Sequence, residues 1–229
     1  MTAQDPLDLR SYDLVIFDND GVLVDSETLT VEVEQQLLAE LGWEMSTAEV
    51  VARFMGRSLA AEVAEVGDRL GADVGARFGE LLVERCTQAY ADHLAAVAGV
   101  PELLDRLAVA GVPTCVASSG TPEGIAAKLE RTGLAAHFGD RVSSAVEVEH
   151  GKPAPDLFLL AARKAGADPA RCVVVEDSVA GVTGAVAAGT TALAYGGSLA
   201  PRAELEAAGG TWFARMSDLR ISARPPRGV

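Results

Sequence analysis

The sequence predicts an α/β fold: a parallel sheet covered by helices on both faces, with an all-helical insertion after its first strand. Three observations lead there. Short, almost wholly apolar runs recur, each ending on a polar or small residue, as strands buried on both faces do. Capped helical patterns lie between them, so that strand and helix alternate. One interval, residues 26–96, has helical spacing in long stretches and no convincing strand.

In chain order, the first run is residues 12–17 (YDLVIF), which puts Asp18 at a strand end. In the insertion, Val31, Glu34, Leu37, Leu38 and Leu41 form one helical stripe, and Leu59, Val63 and Val66 another. Pro101 opens a helix that Gly111 closes, and residues 114–117 (TCVA) then run into Ser118. Thr121 and Pro122 start a helix closed by Gly133, and Asp156 starts one closed by Gly166. Residues 172–175 (CVVV) end at Glu176, and residues 191–195 (TALAY) are the last run. The predicted division is a core of residues 1–25 and 97–229 around a helical domain of residues 26–96. The two ends, residues 1–10 and 222–229, read as fraying segments with no core to join. Ligands of such a sheet sit beyond the carboxyl ends of its strands, where Asp18, Ser118, Glu176 and Asp177 would gather.

Composition bounds the function. At 229 residues the chain holds a core plus a smaller unit, on a typical domain of about 150 residues. Hydrophobic residues at 49% and charged residues at 23% are ordinary globular usage, which excludes collagen-like, disordered and disulfide-scaffold chains. Nineteen basic against 33 acidic residues leave a net charge of -14, which repels nucleic acid backbones and anionic lipid, so neither nucleic acid nor membrane is an expected partner. Cys86, Cys115 and Cys172 form no C-x-x-C pair and read as reduced, mostly buried thiols. Residues 178–201 carry no charge and are long enough to span a bilayer, but glycine and other small residues dominate them; they read as a packed helix and strand. The first residues lack the basic start and apolar run of a secretory signal, so a cytoplasmic location is expected; a monomer or weak dimer is expected separately.

The chemistry starts at DNDGVLVDSE, residues 18–27, where Asp18 and Asp20 stand two residues apart just past a buried strand. Alone, this is either an Asx-rich turn bent at Gly21 or a pair of carboxylates that a hard cation such as Mg²⁺ holds against a phosphoryl group. Phosphoryl transfer also needs donors for the phosphate oxygens, further cation ligands and a leaving-group acid. Ser118 in VASSG (residues 116–120), Lys152 in GKPAPD (151–156) and Glu176-Asp177 in VVVEDSVAG (173–181) follow in that order.

These four motifs resemble those of the haloacid dehalogenase superfamily, in its helical-cap phosphatase branch with phosphoglycolate phosphatase and β-phosphoglucomutase-like members. The resemblance covers essentially the whole chain. It implies a Rossmann-like core with a small all-α cap, a Mg²⁺ cofactor, and a small phosphorylated metabolite as partner. It implies Asp18 as the nucleophile that becomes an aspartyl phosphate, and Asp20 as acid and base whose backbone carbonyl also ligates Mg²⁺. By the same resemblance Ser118 and Lys152 hold the phosphoryl oxygens, Asp177 completes the metal site, and Glu176 is a second ligand or a water-mediated partner. Ser119 either touches the phosphate or is only a turn residue. In the cap, residues 52–58 (ARFMGRS) resemble the family's specificity loop, which makes Arg57 and Arg53 either contacts to an anionic or hydroxyl-rich part of the substrate or solvated helix residues.

Departures from the family narrow the activity. The only lysines are Lys128, Lys152 and Lys164, all outside the cap, so the Schiff base of phosphonate-cleaving members has no amine. Phosphomutases of the β-phosphoglucomutase type carry a cap lysine where Met55 stands, beside Gly56, and a histidine where Thr30 falls. Dehalogenases lack the aspartate that Asp20 supplies. A Mg²⁺-dependent phosphatase of a sugar phosphate or similar monoester is therefore expected, the alternatives being a phosphomutase or a non-catalytic binding protein of the same fold.

Overall fold

The computed structural model describes residues 5–55, 57–197 and 200–222; Gly56 lies outside the described residues. The chain forms two compact units, one of Met1–Val24 with Ala96–Val229, the other of Asp25–Ala95.

In the larger unit, β1 (Leu14–Phe17), β2 (Thr114–Ser118), β3 (Val142–Ser144), β4 (Cys172–Glu176), β5 (Thr191–Tyr195) and β6 (Thr211–Phe213) make one sheet in the order β3-β2-β1-β4-β5-β6. Every pairing is parallel. The apolar runs are continuous because both faces are covered. Leu14, Ile16, Cys115, Ala117, Cys172 and Val174 share one core with Phe158 and Ala161, while alternate residues such as Val15, Phe17, Val116 and Val175 are buried on the other face. Phe17 meets Phe138 edge-on there, ring centroids 6.3 Å apart. Strands β3 and β6, at the two edges, were not expected. Each is three residues long, too short for any period to show.

The helices of this unit start and stop where their punctuation stands. They are α5 (Val100–Ala110), α6 (Pro122–Arg131), α7 (Ala135–Phe138), α8 (Asp156–Ala165), α9 (Val179–Ala187) and α10 (Arg202–Ala207), numbered after the helices of the other unit, which precede them in the chain. Thr121 accepts from the Gly124 N–H at 3.2 Å to cap α6, and Gly111 and Gly166 take the left-handed conformation that ends α5 and α8. The uncharged residues 178–201 fold mainly into α9 and β5. Among the described residues no helix is long and apolar enough to cross a membrane.

Of the ends expected to fray, residues 1–4 and 223–229 lie outside the described residues, and the expectation is corrected for the rest. Leu9 is fully buried and its N–H donates to the Arg220 carbonyl at 2.8 Å, while the Ser222 N–H donates to Asp8 at 3.0 Å. Two leucines among polar and charged residues are too few to show a period, so the pairing of these two ends was not legible.

The smaller unit is four helices, α1 (Ser26–Glu40), α2 (Thr47–Phe54), α3 (Leu59–Leu70) and α4 (Ala72–His93). Its core gathers Val31, Leu37, Leu38, Trp43, Phe54, Val66 and Phe78. Helices α3 and α4 approach so closely that a Cβ on Gly75 would stand 2.5 Å from the Val63 carbonyl oxygen, which only glycine permits. Leu59, Val63 and Val66 lie on α3 as their spacing predicts; Leu59, its first residue, is 41% exposed, at the end of the helix beyond the reach of the core.

Glu34 on α1 and Glu62 on α3 are buried here, 4% and 7% exposed. Burial, reinforced by the Glu62 carboxylate, pushes Glu34 up to about 8. Burial also raises Glu62, against an opposing pull from Arg57. Glu34 therefore holds its proton in the folded chain at pH values where the unfolded chain has lost it. Stability falls as pH rises from about 4.5 to about 8, the interval between the two pKa values. Glu34→Gln is expected to flatten that slope, with a melting temperature above wild type at about pH 8.5 and close to it at about pH 5; superimposed pH profiles would refute it.

Candidate active site

The winding of the chain reverses between β1 and β4: successive strands build outward from β1 to β3 on one side, then from β4 to β6 on the other. A crevice opens beyond the carboxyl ends of the strands at such a point. Asp18 follows β1, Ser118 ends β2, and Glu176 and Asp177 end and follow β4. The Asp18 N–H donates to the Val175 carbonyl at 3.0 Å, so the ladder itself aligns the ends of β1 and β4.

Asp18, Glu176 and Asp177 are all buried, and one carboxylate oxygen from each lies within 4.8 Å of the others. Lys152 reaches them from the segment before α8. Its ammonium donates to Asp18 Oδ1 and to Glu176 Oε1, each at 2.5 Å. Burial pushes the Asp18 carboxyl up to about 7; Lys152 pulls it down, while Glu176 and Asp20 add to the rise. Burial acts to lower the Lys152 ammonium, but Asp18 and Glu176 together hold it above its ordinary value. Three acidic side chains against one ammonium leave surplus negative charge in a buried place, and all the converging donors are carboxylate oxygens. That donor set fits a hard divalent cation.

Glu176 stands apart within this cluster. Its Oε2 accepts from the Asp177 N–H, the Ser178 N–H and the Ser178 hydroxyl, each at 3.0 Å, while its Oε1 faces Lys152. Its carboxylate lies over the first turn of α9, where a Cβ on Gly181 would come within 1.9 Å of it. Glycine at 181 is thus what admits Glu176, and through it Lys152. Ser178 also caps α9, accepting from the Gly181 N–H at 3.0 Å.

Asp20 lies one turn out, more exposed. The loop that carries it is closed by the Leu23 and Val24 N–H groups on the Asn19 carbonyl, at 2.9 and 3.0 Å, and by the Gly21 N–H on the Val24 carbonyl at 2.8 Å. Asn19 Nδ2 donates to Asp20 Oδ2 at 3.3 Å, and the Lys128 ammonium donates to Asp20 Oδ1. Sequence reasoning missed Lys128. The available signal was its place on α6 beside the buried Ile125 and Leu129, where a partly covered ammonium requires a partner.

Ser118 is buried, and its Oγ accepts from the Gly120 N–H at 3.1 Å. Ser119 is exposed on the following turn. Arg57 belongs to the helical unit, where it and Arg53 pair with Glu65 beside a cavity of about 720 Å³ lined also by Trp43 and Arg69. Asp18, Lys152, Glu176 and Asp177 are thus brought together, with Asp20 adjoining; among the described residues Ser119 makes no hydrogen bond to that cluster.

A model of the haloacid dehalogenase-like hydrolases matches residues 12–189. Over 188 residues the chain is 36% identical to SUPPRESSOR OF QUENCHING 1, chloroplastic, of Arabidopsis thaliana, a match covering 79% of this chain and 17% of that protein. It is 32% identical over 180 residues to Hexitol phosphatase A of Escherichia coli, covering 78% of this chain and 81% of the relative. A HAD family hydrolase from Deinococcus radiodurans, crystallised with bound phosphate and sodium, superimposes with a TM-score of 0.81 at 32% identity, covering 92% of this chain and 94% of that one. With its motifs converging at the switch point of the same sheet, the chain belongs to the haloacid dehalogenase-like hydrolases, in their phosphatase branch.

Proposed function

We propose that the protein is a Mg²⁺-dependent phosphatase of small phosphorylated metabolites, sugar or polyol phosphates among them, working through an aspartyl phosphate on Asp18. The helical unit of residues 26–96 serves as the cap that chooses the ester. The observation that carries this reading is the buried convergence of Asp18, Glu176 and Asp177 on Lys152 beyond the sheet. The likeness to a named hexitol phosphatase supports the substrate class.

Asp18 attacks phosphorus, the bond to the ester oxygen breaks, and Asp20 passes its proton to that oxygen so that a neutral alcohol leaves. Water then gives a proton to Asp20 as it attacks the aspartyl phosphate, the bond to Asp18 breaks, and phosphate departs with both aspartates restored. Ser118 and Lys152 hold the phosphoryl oxygens, joined by Ser119 on the turn. Asp18, Asp177 and the Asp20 carbonyl would hold the Mg²⁺, which supplies neutralisation of charge on the transferring group. Glu176 would be a second or water-mediated partner of the ion, and it keeps Lys152 in place. Arg57 reads the hydroxyl-rich or anionic part of the leaving group.

The test is inorganic phosphate release from a panel of phosphorylated metabolites, with Mg²⁺ and with EDTA. Release from a few sugar, polyol or sugar-acid phosphates, lost in EDTA, is expected. A folded, Mg²⁺-binding protein that releases none would overturn hydrolysis, and an isomeric phosphate as product would make it a mutase.

A further inference from the structure

The geometry points to Lys128 as the positioning residue for Asp20, an inference that rests on the reading of Asp20 as proton donor to the leaving oxygen. Both oxygens of this carboxylate are held, Oδ1 by the Lys128 ammonium and Oδ2 by the Asn19 amide at 3.3 Å. The Asp20 side chain is 33% exposed and that of Lys128 is 20% exposed. A carboxylate that open to water samples several rotamers, whereas proton transfer needs one placed to within about 0.5 Å.

Lys128 comes from a well-defined place. It lies on α6, whose start is set by the Thr121 cap just past Ser118 and whose register is set by Ile125 and Leu129, both buried. The segment that delivers the phosphate-binding hydroxyl therefore also delivers the ammonium to the acid. The chain has three lysines, and two of them end on the first two aspartates of its first motif, Lys152 on Asp18 and Lys128 on Asp20. Lys152 is buried and touches the nucleophile; Lys128 acts on the reaction only through Asp20. A partly solvated ion pair of this kind adds little to stability, so its loss should appear mainly in the proton-transfer step rather than in melting.

The test compares Lys128→Met and Lys128→Arg with wild type on two esters. One is glycerol 3-phosphate, whose alkoxide needs a proton to leave; the other is p-nitrophenyl phosphate, whose phenolate does not. In Lys128→Met, kcat for the alkyl ester should fall by about tenfold or more, and for p-nitrophenyl phosphate by less than about threefold, with KM little changed. Lys128→Arg should recover most of the alkyl-ester rate. Equal losses on both esters, no loss, a gain, or an arginine variant no better than methionine would overturn the inference. A second readout needs no turnover: the ¹³Cγ resonance of Asp20, assigned by its disappearance in Asp20→Asn, should move in Lys128→Met and return towards its wild-type position in Lys128→Arg. An unmoved resonance overturns it whatever the kinetics. Failure of the underlying reading looks different: Asp20→Asn would then lose activity equally on both esters, or wild type would release no phosphate, with the resonance still responding to Lys128.

Discussion

Asp18→Asn is expected to remove phosphate release by about a thousandfold or more while leaving the protein folded, since a carboxamide is a poor nucleophile of nearly the same volume. The effect on stability has a definite sign. Burial raises the Asp18 carboxyl above its unfolded value of 3.8, to about 7, so its charge opposes folding once pH exceeds the unfolded value, and the opposition is fully developed above the folded one. A neutral amide escapes that opposition. In the absence of metal the variant should melt at or above the wild-type temperature, and turnover should vanish on every ester alike. A variant that still turns over would remove Asp18 from the nucleophile's role, and one that melts well below wild type would contradict the electrostatics of the site.

Lys152→Ala should have the opposite effect on stability. The ammonium is enclosed, donates to Asp18 and Glu176 and lies 5.3 Å from the centre of the Phe158 ring. Truncation leaves two buried carboxylates facing one another without compensation, which by the precedent of broken buried ion pairs destabilises by about 3 kcal/mol or more. For a chain of this size that is roughly 6–12 °C in melting temperature. Activity should fall at least about a hundredfold in kcat/KM, because a charge-assisted contact to the transferring group is lost as well. Added Mg²⁺ should then raise the variant's melting temperature more than that of wild type, a divalent cation being the remaining source of positive charge for the cluster. An unchanged melting temperature would show that Lys152 does not hold these carboxylates together.

The division between what could be read along the chain and what could not follows the range of the forces involved. Strands β1, β2, β4 and β5 were legible because burial on both faces demands an unbroken apolar run, and the first polar residue after it marks the strand end. Helix limits were legible because a cap such as Thr121 or a left-handed glycine such as Gly111 acts within one turn. The resemblance of four motifs to one family then named the residues of the site. Edge strands β3 and β6 escaped because three residues carry no period, and the exposure of Leu59 was not legible because helical spacing gives a direction but no end to the core. The burial of Glu34, an acidic residue on an otherwise apolar stripe, acquires its meaning only beside Glu62.

By itself, then, the sequence determined the alternation of elements, the helical insertion and the identity of Asp18, Asp20, Ser118, Lys152, Glu176 and Asp177 as site candidates, since each depends on neighbours a few residues away. Tertiary structure alone decided that Glu176 has its oxygens taken up by Lys152, Ser178 and two backbone N–H groups. It alone decided that Gly181 leaves the space for that carboxylate, and that Lys128 meets Asp20 across 108 residues of chain. Those contacts depend on the register between one strand end and the helix facing it, and no local pattern encodes the distance between side chains that folding brings together.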